Sequence, residues 1–333
     1  MISIILILVF LNFLIIFYFS KIKIFNINLD KPNKIRKFHS KAVPRSGGLL
    51  ILLNLTVYLI IVNASQMIYQ NDVFFNNLYE FNFFFISVFI IFVFGFVDDK
   101  LDINPYIKFI FITLFILIIL FYQKQLIVEN LNFSFLRRNY LLGNFSYFFT
   151  IFCFVVFLNA FNMFDGINLQ ASIYSLILIV FFFTLIQSTF LICLGISIIS
   201  YSYLNYKNKA FLGDSGSLLL GFIISYMIIK LYNLNYILFA DKIILYMIIP
   251  GLELIRLFGL RIYNKKSPLS ADREHLHHYL VDKFSQFESL LIMSIFILSP
   301  LIMNTLKINN FLIINITTIS YILLINYLKK KPS

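Results

Sequence analysis

The chain has 333 residues, 60% of them hydrophobic and only 13% charged, with 42 Phe, no Trp and a formal net charge of +12. A soluble domain carries about 45–50% apolar and about 25% charged residues, so this composition excludes one and marks an integral membrane protein. The positive charge does not mark a nucleic-acid binder, because the basic residues cluster between apolar segments, which is how membrane proteins fix their orientation.

Segments long enough to span a bilayer, roughly 17–25 residues each, lie near 1–19, 47–64, 81–97, 106–122, 146–162, 170–187, 189–204, 216–232, 239–259, 287–305 and 310–328. They predict an all-α polytopic membrane protein of about eleven transmembrane helices, forming a single domain over 1–333. The first segment has no basic residue before it and Lys21 and Lys23 just after it, so it reads as an anchor entering from outside rather than a cleavable signal. Alternation from that start puts 20–46, 98–108, 163–170, 205–215, 256–286 and 329–333 on one side, with 21 of the 27 Lys and Arg residues. By the positive-inside rule that side is cytoplasmic, the N-terminus outside and the C-terminus inside. Of the long outer loops, 123–145 is expected to form a short hairpin or an interfacial segment. Cys153 and Cys193 fall within apolar runs and read as small core residues without a disulfide framework.

The loops of the predicted cytoplasmic side hold the polar chemistry. In chain order they contain DKPNKIRKFHSKAVPRSGG (30–48), FGFVDDKLDINPYIK (94–108), NAFNMFDGIN (159–168), FLGDSGS (211–217) and SPLSADREHLHH (267–278). A carboxylate near the hydrocarbon core costs roughly 2.5–3.5 kcal/mol, so Asp98, Asp99 and Asp102 at the end of an apolar helix need either water or a cation. On a continuing helix Asp98 and Asp102 share a face, and such carboxylates suit Mg²⁺ together with substrate phosphates; a solvated helix end is the alternative. Asp214 could cap the next helix or ligate a metal. Asn159, Asn162, Asp165 and Asn168 form a polar ridge at a helix end that Gly166 breaks. His275, His277 and His278 lack a zinc-site spacing and, with Arg273, suit phosphate better. Arg36, Lys37, His39, Lys41 and Arg45 could bind substrate phosphate or attract anionic lipid headgroups.

The motifs GFVDDKLD, NAFNMFDGIN, FLGDSGS and DREHLHH, preceded by DKPNKIRKFHSKAVPRSGG, resemble those of the polyprenyl-phosphate N-acetylhexosamine-1-phosphate transferases (glycosyltransferase family 4). The resemblance runs over roughly 1–328, and five clusters in matching order carry it where any one would be weak. It implies an Mg²⁺-dependent enzyme, with Mn²⁺ as a substitute, that moves HexNAc-1-phosphate, GlcNAc-1-phosphate foremost, from a UDP-sugar to undecaprenyl phosphate and releases UMP. DREHLHH is similar to the branch that starts O-antigen, enterobacterial common antigen and teichoic acid linkage units. The peptidoglycan branch, which uses UDP-MurNAc-pentapeptide, fits less well. Residue by residue, the resemblance makes Asp214 the leading metal ligand with Asn162 beside it. Asp98 and Asp99 would position the lipid phosphate and assist the metal, Lys108 would contact phosphate, Phe211 would stack on uracil and Asn168 would bond its edge. Arg273, His275 and His277 would hold pyrophosphate and sugar; Asp165 joins the catalytic set, and His39 and Arg45 the substrate-binding set.

The sequence departs from the bacterial pattern DGxDGLA at Asp165-Gly-Ile-Asn168-Leu-Gln-Ala, where Leu169 replaces a glycine. The implied setting is a bacterial cytoplasmic (inner) membrane with the site on its cytoplasmic face and the product entering a lipopolysaccharide-type glycan, with a homodimer as one expected assembly. An alternative from another class, a transporter or flippase of an anionic substrate, requires polar residues at mid-bilayer and on both faces. Most span centres here are almost wholly apolar.

Overall fold

The structure, a computed structural model, describes residues 2–30, 42–65, 74–136, 138–270 and 272–329. Its helices are α1 (Ile2–Tyr18), α2 (Gly47–Ser65), α3 (Leu78–Leu101), α4 (Pro105–Tyr122), α5 (Ser146–Phe164), α6 (Gln170–Leu185), α7 (Thr189–Tyr206), α8 (Gly213–Asn233), α9 (Ala240–Tyr263), α10 (Leu276–Lys283), α11 (Gln286–Thr305) and α12 (Asn310–Lys329). Among the described residues, ten helices are long and apolar enough to cross a membrane. The eleventh apolar helix, α6, has only 16 residues, just short of the usual span. The chain is therefore an all-α, multi-pass membrane protein. Local chemistry fixes the helix ends: the Asn77 side chain accepts the Glu80 N–H at the start of α3, Pro105 opens α4 behind its cap Asn104, and Ser285 and Glu288 form a capping box on α11.

The chain divides into two compact units, residues 1–103 with 171–224 and residues 104–170 with 225–333. In the first, α2 packs on α1, α3 and α7. Two reciprocal amide pairs register these helices: Asn12 with Asn54 at 2.6 and 3.1 Å, and Asn63 with Asn82 at 2.9 and 3.2 Å. In an apolar surrounding such a pair leaves few other partners and so selects one helix alignment, with a net value of about 0.6–2 kcal/mol. Phe74, Phe75, Phe81, Phe84, Phe85 and Phe190 fill the core beside them.

In the second unit α9 packs on α5, α11 and α12. The hairpin expected within 123–145 is present, with β3 (Asn130–Phe133) antiparallel to β4 (Arg138–Leu141). Buried Asp241 at the start of α9 pins it by accepting the Ser134 N–H at 2.8 Å, the Ser134 hydroxyl and the Asn310 amide at 2.6 Å. A second short antiparallel pair, β1 (Leu29–Asp30) with β2 (Val43–Pro44), belongs to the first unit.

Candidate active site

In the first unit the site is the start of α8. Gly213 precedes Asp214 with φ +74°, and a Cβ there would stand 2.6 Å from Asp99 Oδ2, so only glycine makes this turn. Asp99, on the last turn of α3, points its carboxylate at the first amides of α8. Its Oδ1 accepts the Asp214 N–H at 2.9 Å and its Oδ2 the Ser215 N–H at 3.0 Å. These amides have no intrahelical acceptor, so Asp99 acts as an N-cap supplied by another helix. The backbones are also stitched together: Phe211 N–H donates to Pro44 O at 2.8 Å and Gly47 N–H to Phe211 O at 2.9 Å. Gly48 and Gly95 let α2 and α3 touch α8 directly, since a Cβ on either would come within 2.5–2.6 Å of the Gly216 or Ser215 backbone.

Arg45 completes the clamp. Its Nη1 donates to Asp99 O at 3.0 Å and to Asp99 Oδ1 at 3.3 Å, while Nε and Nη2 grip Asp30 Oδ1 at 3.1 and 2.6 Å. Arg45 and Asp99, expected to face substrate, thus have their charges engaged within the protein. Asp98 is buried and its Oδ1 accepts the Ile103 N–H at 3.0 Å, closing the end of α3, where Asp102 takes the left-handed conformation at φ 46°. Asp214 and Phe211 are half-buried. Asp214 joins the clamp through its backbone N–H.

In the second unit the polar ridge ends α5, with Asn162, Asp165 and Asn168 all half-buried. Gly166 N–H turns back to Phe164 O at 2.9 Å. His277 lies against this turn: a Cβ on Gly166 would stand 2.0 Å from the His277 Cε1. Two motifs 111 positions apart therefore form one surface. His275, His277 and His278 cluster with ring centroids 4.4–6.0 Å apart. Burial lowers all three pKa values, well below the usual range for His277 and to about 4 for His278, with neighbouring imidazoles adding to it for His277 and His278 and the Arg261 and Arg256 charges for His275. These rings are neutral at pH 7 and offer hydrogen bonds rather than charge. Exposed Arg273 adds a positive charge beside His278. Asp272 is fixed by Arg261, whose Nε donates to its Oδ2 at 2.6 Å while Nη1 takes Pro268 O at 2.7 Å. Lys108 is half-buried on the second turn of α4, where Tyr106 shares a hydrogen bond with Ser267 at 2.8 Å.

Of the expected residues, Asp98, Asp99, Asp214, Phe211 and Arg45 belong to the first unit, and Lys108, Asn162, Asp165, Asn168, Arg273, His275 and His277 to the second. His39 lies outside the described residues. Sequence reading missed Asp30, Arg256, Arg261 and Tyr321, which pair over 11 to 65 positions. A buried acid or arginine at a helix end was the available signal.

Among the described residues no group of three or more His, Cys, Asp or Glu side chains could hold a metal ion. A calcium-type cage is therefore absent there, whereas Mg²⁺ usually takes only one or two protein carboxylates and completes its shell with phosphate and water. The half-buried Asp214 carboxylate at a rigid helix start fits that donor set.

Residues 81–232 match the model of glycosyl transferase family 4. The chain is similar to the undecaprenyl-phosphate alpha-N-acetylglucosaminyl 1-phosphate transferases of Thermotoga maritima, 29% identical over 271 residues covering 80% of this chain and 77% of the relative, and of Escherichia coli K12, 27% identical over 271 residues covering 76% and 69%. The Salmonella typhi protein of the same name is 26% identical over 266 residues, covering 76% of this chain and 69% of its own. The matched stretch contains the Asp98–Asp99 pair, the 159–168 ridge and the clamped start of α8, so the similarity to glycosyl transferase family 4 falls on the residues that build the candidate site.

Proposed function

We propose that the protein transfers GlcNAc-1-phosphate from UDP-GlcNAc to undecaprenyl phosphate, giving the lipid-diphosphate sugar and UMP. The observation that carries this reading is the start of α8, where Asp99, Arg45 and three glycines hold Asp214 in one place, in a chain whose relatives are named for that transfer. A lipid phosphate oxygen attacks the phosphorus that bears the sugar, and the bond from that phosphorus to the oxygen of UMP breaks. The protein has little covalent chemistry to perform; it positions two anions and offsets their charge.

Asp214 is the carboxylate that would hold Mg²⁺, which when bound neutralises diphosphate charge and orients the leaving oxygen. Asp98 orders the end of α3, beside which the lipid phosphate would stand. In the second unit Arg273 supplies the fixed positive charge, and the neutral rings of His275 and His277 bond diphosphate and sugar oxygens. Asn162, Asp165 and Asn168 line the donor side, with Asn168 suited to the uracil edge. Phe211 offers a ring face to a base, and Lys108 a cation to phosphate.

The reading places the site on the cytoplasmic face of a bacterial inner membrane, supported by the 21 of 27 Lys and Arg on one set of loops. A lipid acceptor moves within the bilayer and a nucleotide sugar in the cytosol, so the reaction belongs at that boundary. The product is the starting unit of an envelope glycan of the O-antigen type. The test is UMP release by the purified chain with undecaprenyl phosphate, with and without Mg²⁺, across UDP-GlcNAc, UDP-GalNAc and UDP-MurNAc-pentapeptide. Metal-dependent UMP from UDP-GlcNAc alone is expected; no UMP from any donor would overturn the reading.

A further inference from the structure

The loop that carries the histidines is gripped from α9. Leu276 opens α10, and the residue before it, His275, contributes no side-chain cap. The missing acceptor comes from Glu253, whose Oε1 takes the Leu276 N–H at 2.7 Å. Just before His275, the Glu274 carbonyl accepts Arg256 Nη2 at 2.5 Å. One carboxylate and one guanidinium, three residues apart on α9, thus hold the backbone on both sides of His275. They also pair with each other, Arg256 Nη2 to Glu253 Oε1 at 2.8 Å and Nε to Oε2 at 3.2 Å. Tyr321 of α12 backs them: its hydroxyl donates to Glu253 Oε2 and accepts Arg256 Nε at 2.8 Å.

Glu253 is only 4% exposed and Tyr321 only 3%. A carboxylate so buried is tolerable only with its lone pairs matched, and here every bond runs to the histidine loop or to a residue that supports it. His275 Nδ1 stands 3.9 Å from Glu253 Oε1, beyond hydrogen-bond reach, so the grip is on the backbone and leaves the ring for other partners. One residue past Leu276, His277 stands against Gly166. The contacts therefore run Tyr321, Glu253, Leu276, His277, Gly166 within one unit.

We propose that Glu253 is a positioning residue for the transfer: through the backbone at 274–276 it sets where His275 and His277 stand, and through His277 the seat of the 165–168 turn. The proposal rests on the donor-binding role given to that loop above. It predicts an effect on turnover that disappears once His277 is gone.

The test uses the full chain in detergent with Glu253→Ala, Glu253→Gln, Tyr321→Phe, His277→Ala and the Glu253→Ala/His277→Ala pair. Turnover and KM are measured for both substrates, and hydrogen exchange is followed in a peptide spanning Leu276. In Glu253→Ala, kcat is expected to fall about 30-fold with the KM for undecaprenyl phosphate unchanged. Glu253→Gln keeps an oxygen for the Leu276 N–H and is expected to recover a large part of that loss. The double variant should be within about twofold of His277→Ala alone, because coupled sites are not additive. Leu276 exchange should quicken in Glu253→Ala and stay slow in His277→Ala. Multiplying losses in the double variant, or wild-type kcat in Glu253→Ala, would overturn the proposal. If Glu253→Ala does not fold, Tyr321→Phe takes its place in the same cycle with His277→Ala, with the same two outcomes. A wild-type chain that turns over no donor sinks the transferase reading instead, and unchanged Leu276 exchange then removes the clamp as well.

Discussion

Gly166 has no room for a side chain, because the His277 ring occupies the place of its Cβ. Gly166→Ala should move the turn or the ring by about an ångström, and such a misplacement costs on the order of 100-fold in rate. Turnover should fall that far while the melting temperature changes little. Two neighbours break local rules in the other direction. Leu169 sits at φ 68°, and among the described residues buried Gln170 finds no hydrogen-bond partner for its Nε2 or its Oε1. Gln170→Leu is expected to stabilise the protein by about 1–3 kcal/mol, the usual cost of a buried unmet polar group, seen as a raised melting temperature. The histidines give a pH signature. His278 titrates near 4 in the folded protein against 6.5 for an ordinary histidine, so the unfolded chain binds more protons between those values. Stability is therefore unaffected above pH 6.5 and falls as pH drops through the window toward 4, with His275 and His277 acting in the same direction. Melting temperatures from pH 7 to 4 should show this slope, and His278→Gln should flatten it.

At the scale of elements, the junction of α3 with α8 separates two aspartates that look alike in sequence. Asp99 satisfies two helix-start amides, so Asp99→Ala strands both, at about 1–3 kcal/mol each; lower thermal stability along with lost turnover is the expected result. Asp214→Asn keeps the backbone N–H that the clamp holds and should lose Mg²⁺-dependent UMP release. The hairpin has its own anchor in Asp241, and Asp241→Ala should lower the melting temperature by leaving the Ser134 N–H and the Asn310 amide without their acceptor. This junction also shows what a sequence reveals. The Asp98–Asp99 pair announced itself as an energetic anomaly, and GDSG as a helix start. That one answers the other was hidden, because Asp99 is 115 positions from the amide it accepts. The partners of Glu253 at 276 and 321 likewise follow from packing alone.

For the whole molecule, apolar run length was enough to find the helices, and it overstated one: α6 was expected over 170–187 and ends at Leu185. Among the described residues, the clusters at 94–108, 159–168 and 211–217 lie at helix ends, since a polar group in such a chain has few other places to go. Orientation rests on charge, and it can be measured with single cysteines in intact cells. Lys124→Cys is expected to react with a membrane-impermeant thiol reagent from outside, and Lys209→Cys only after the membrane is opened; the reverse would invert the assignment. The burial of α8 bears on how the protein is made. Its entire apolar window is enclosed by protein, with Asp214 in the first turn and Lys230 in the last, so no side of it is left for lipid. Its contacts come from segments made before it: Gly48 and Gly95 lie against its first turn, Phe84 stacks on Phe222, and the backbone of Asn130 and Asn132 bonds the Tyr232 hydroxyl. As the nascent chain enters the membrane, α8 therefore meets surfaces already made, and a chain halted just after Asn233 has these partners in place.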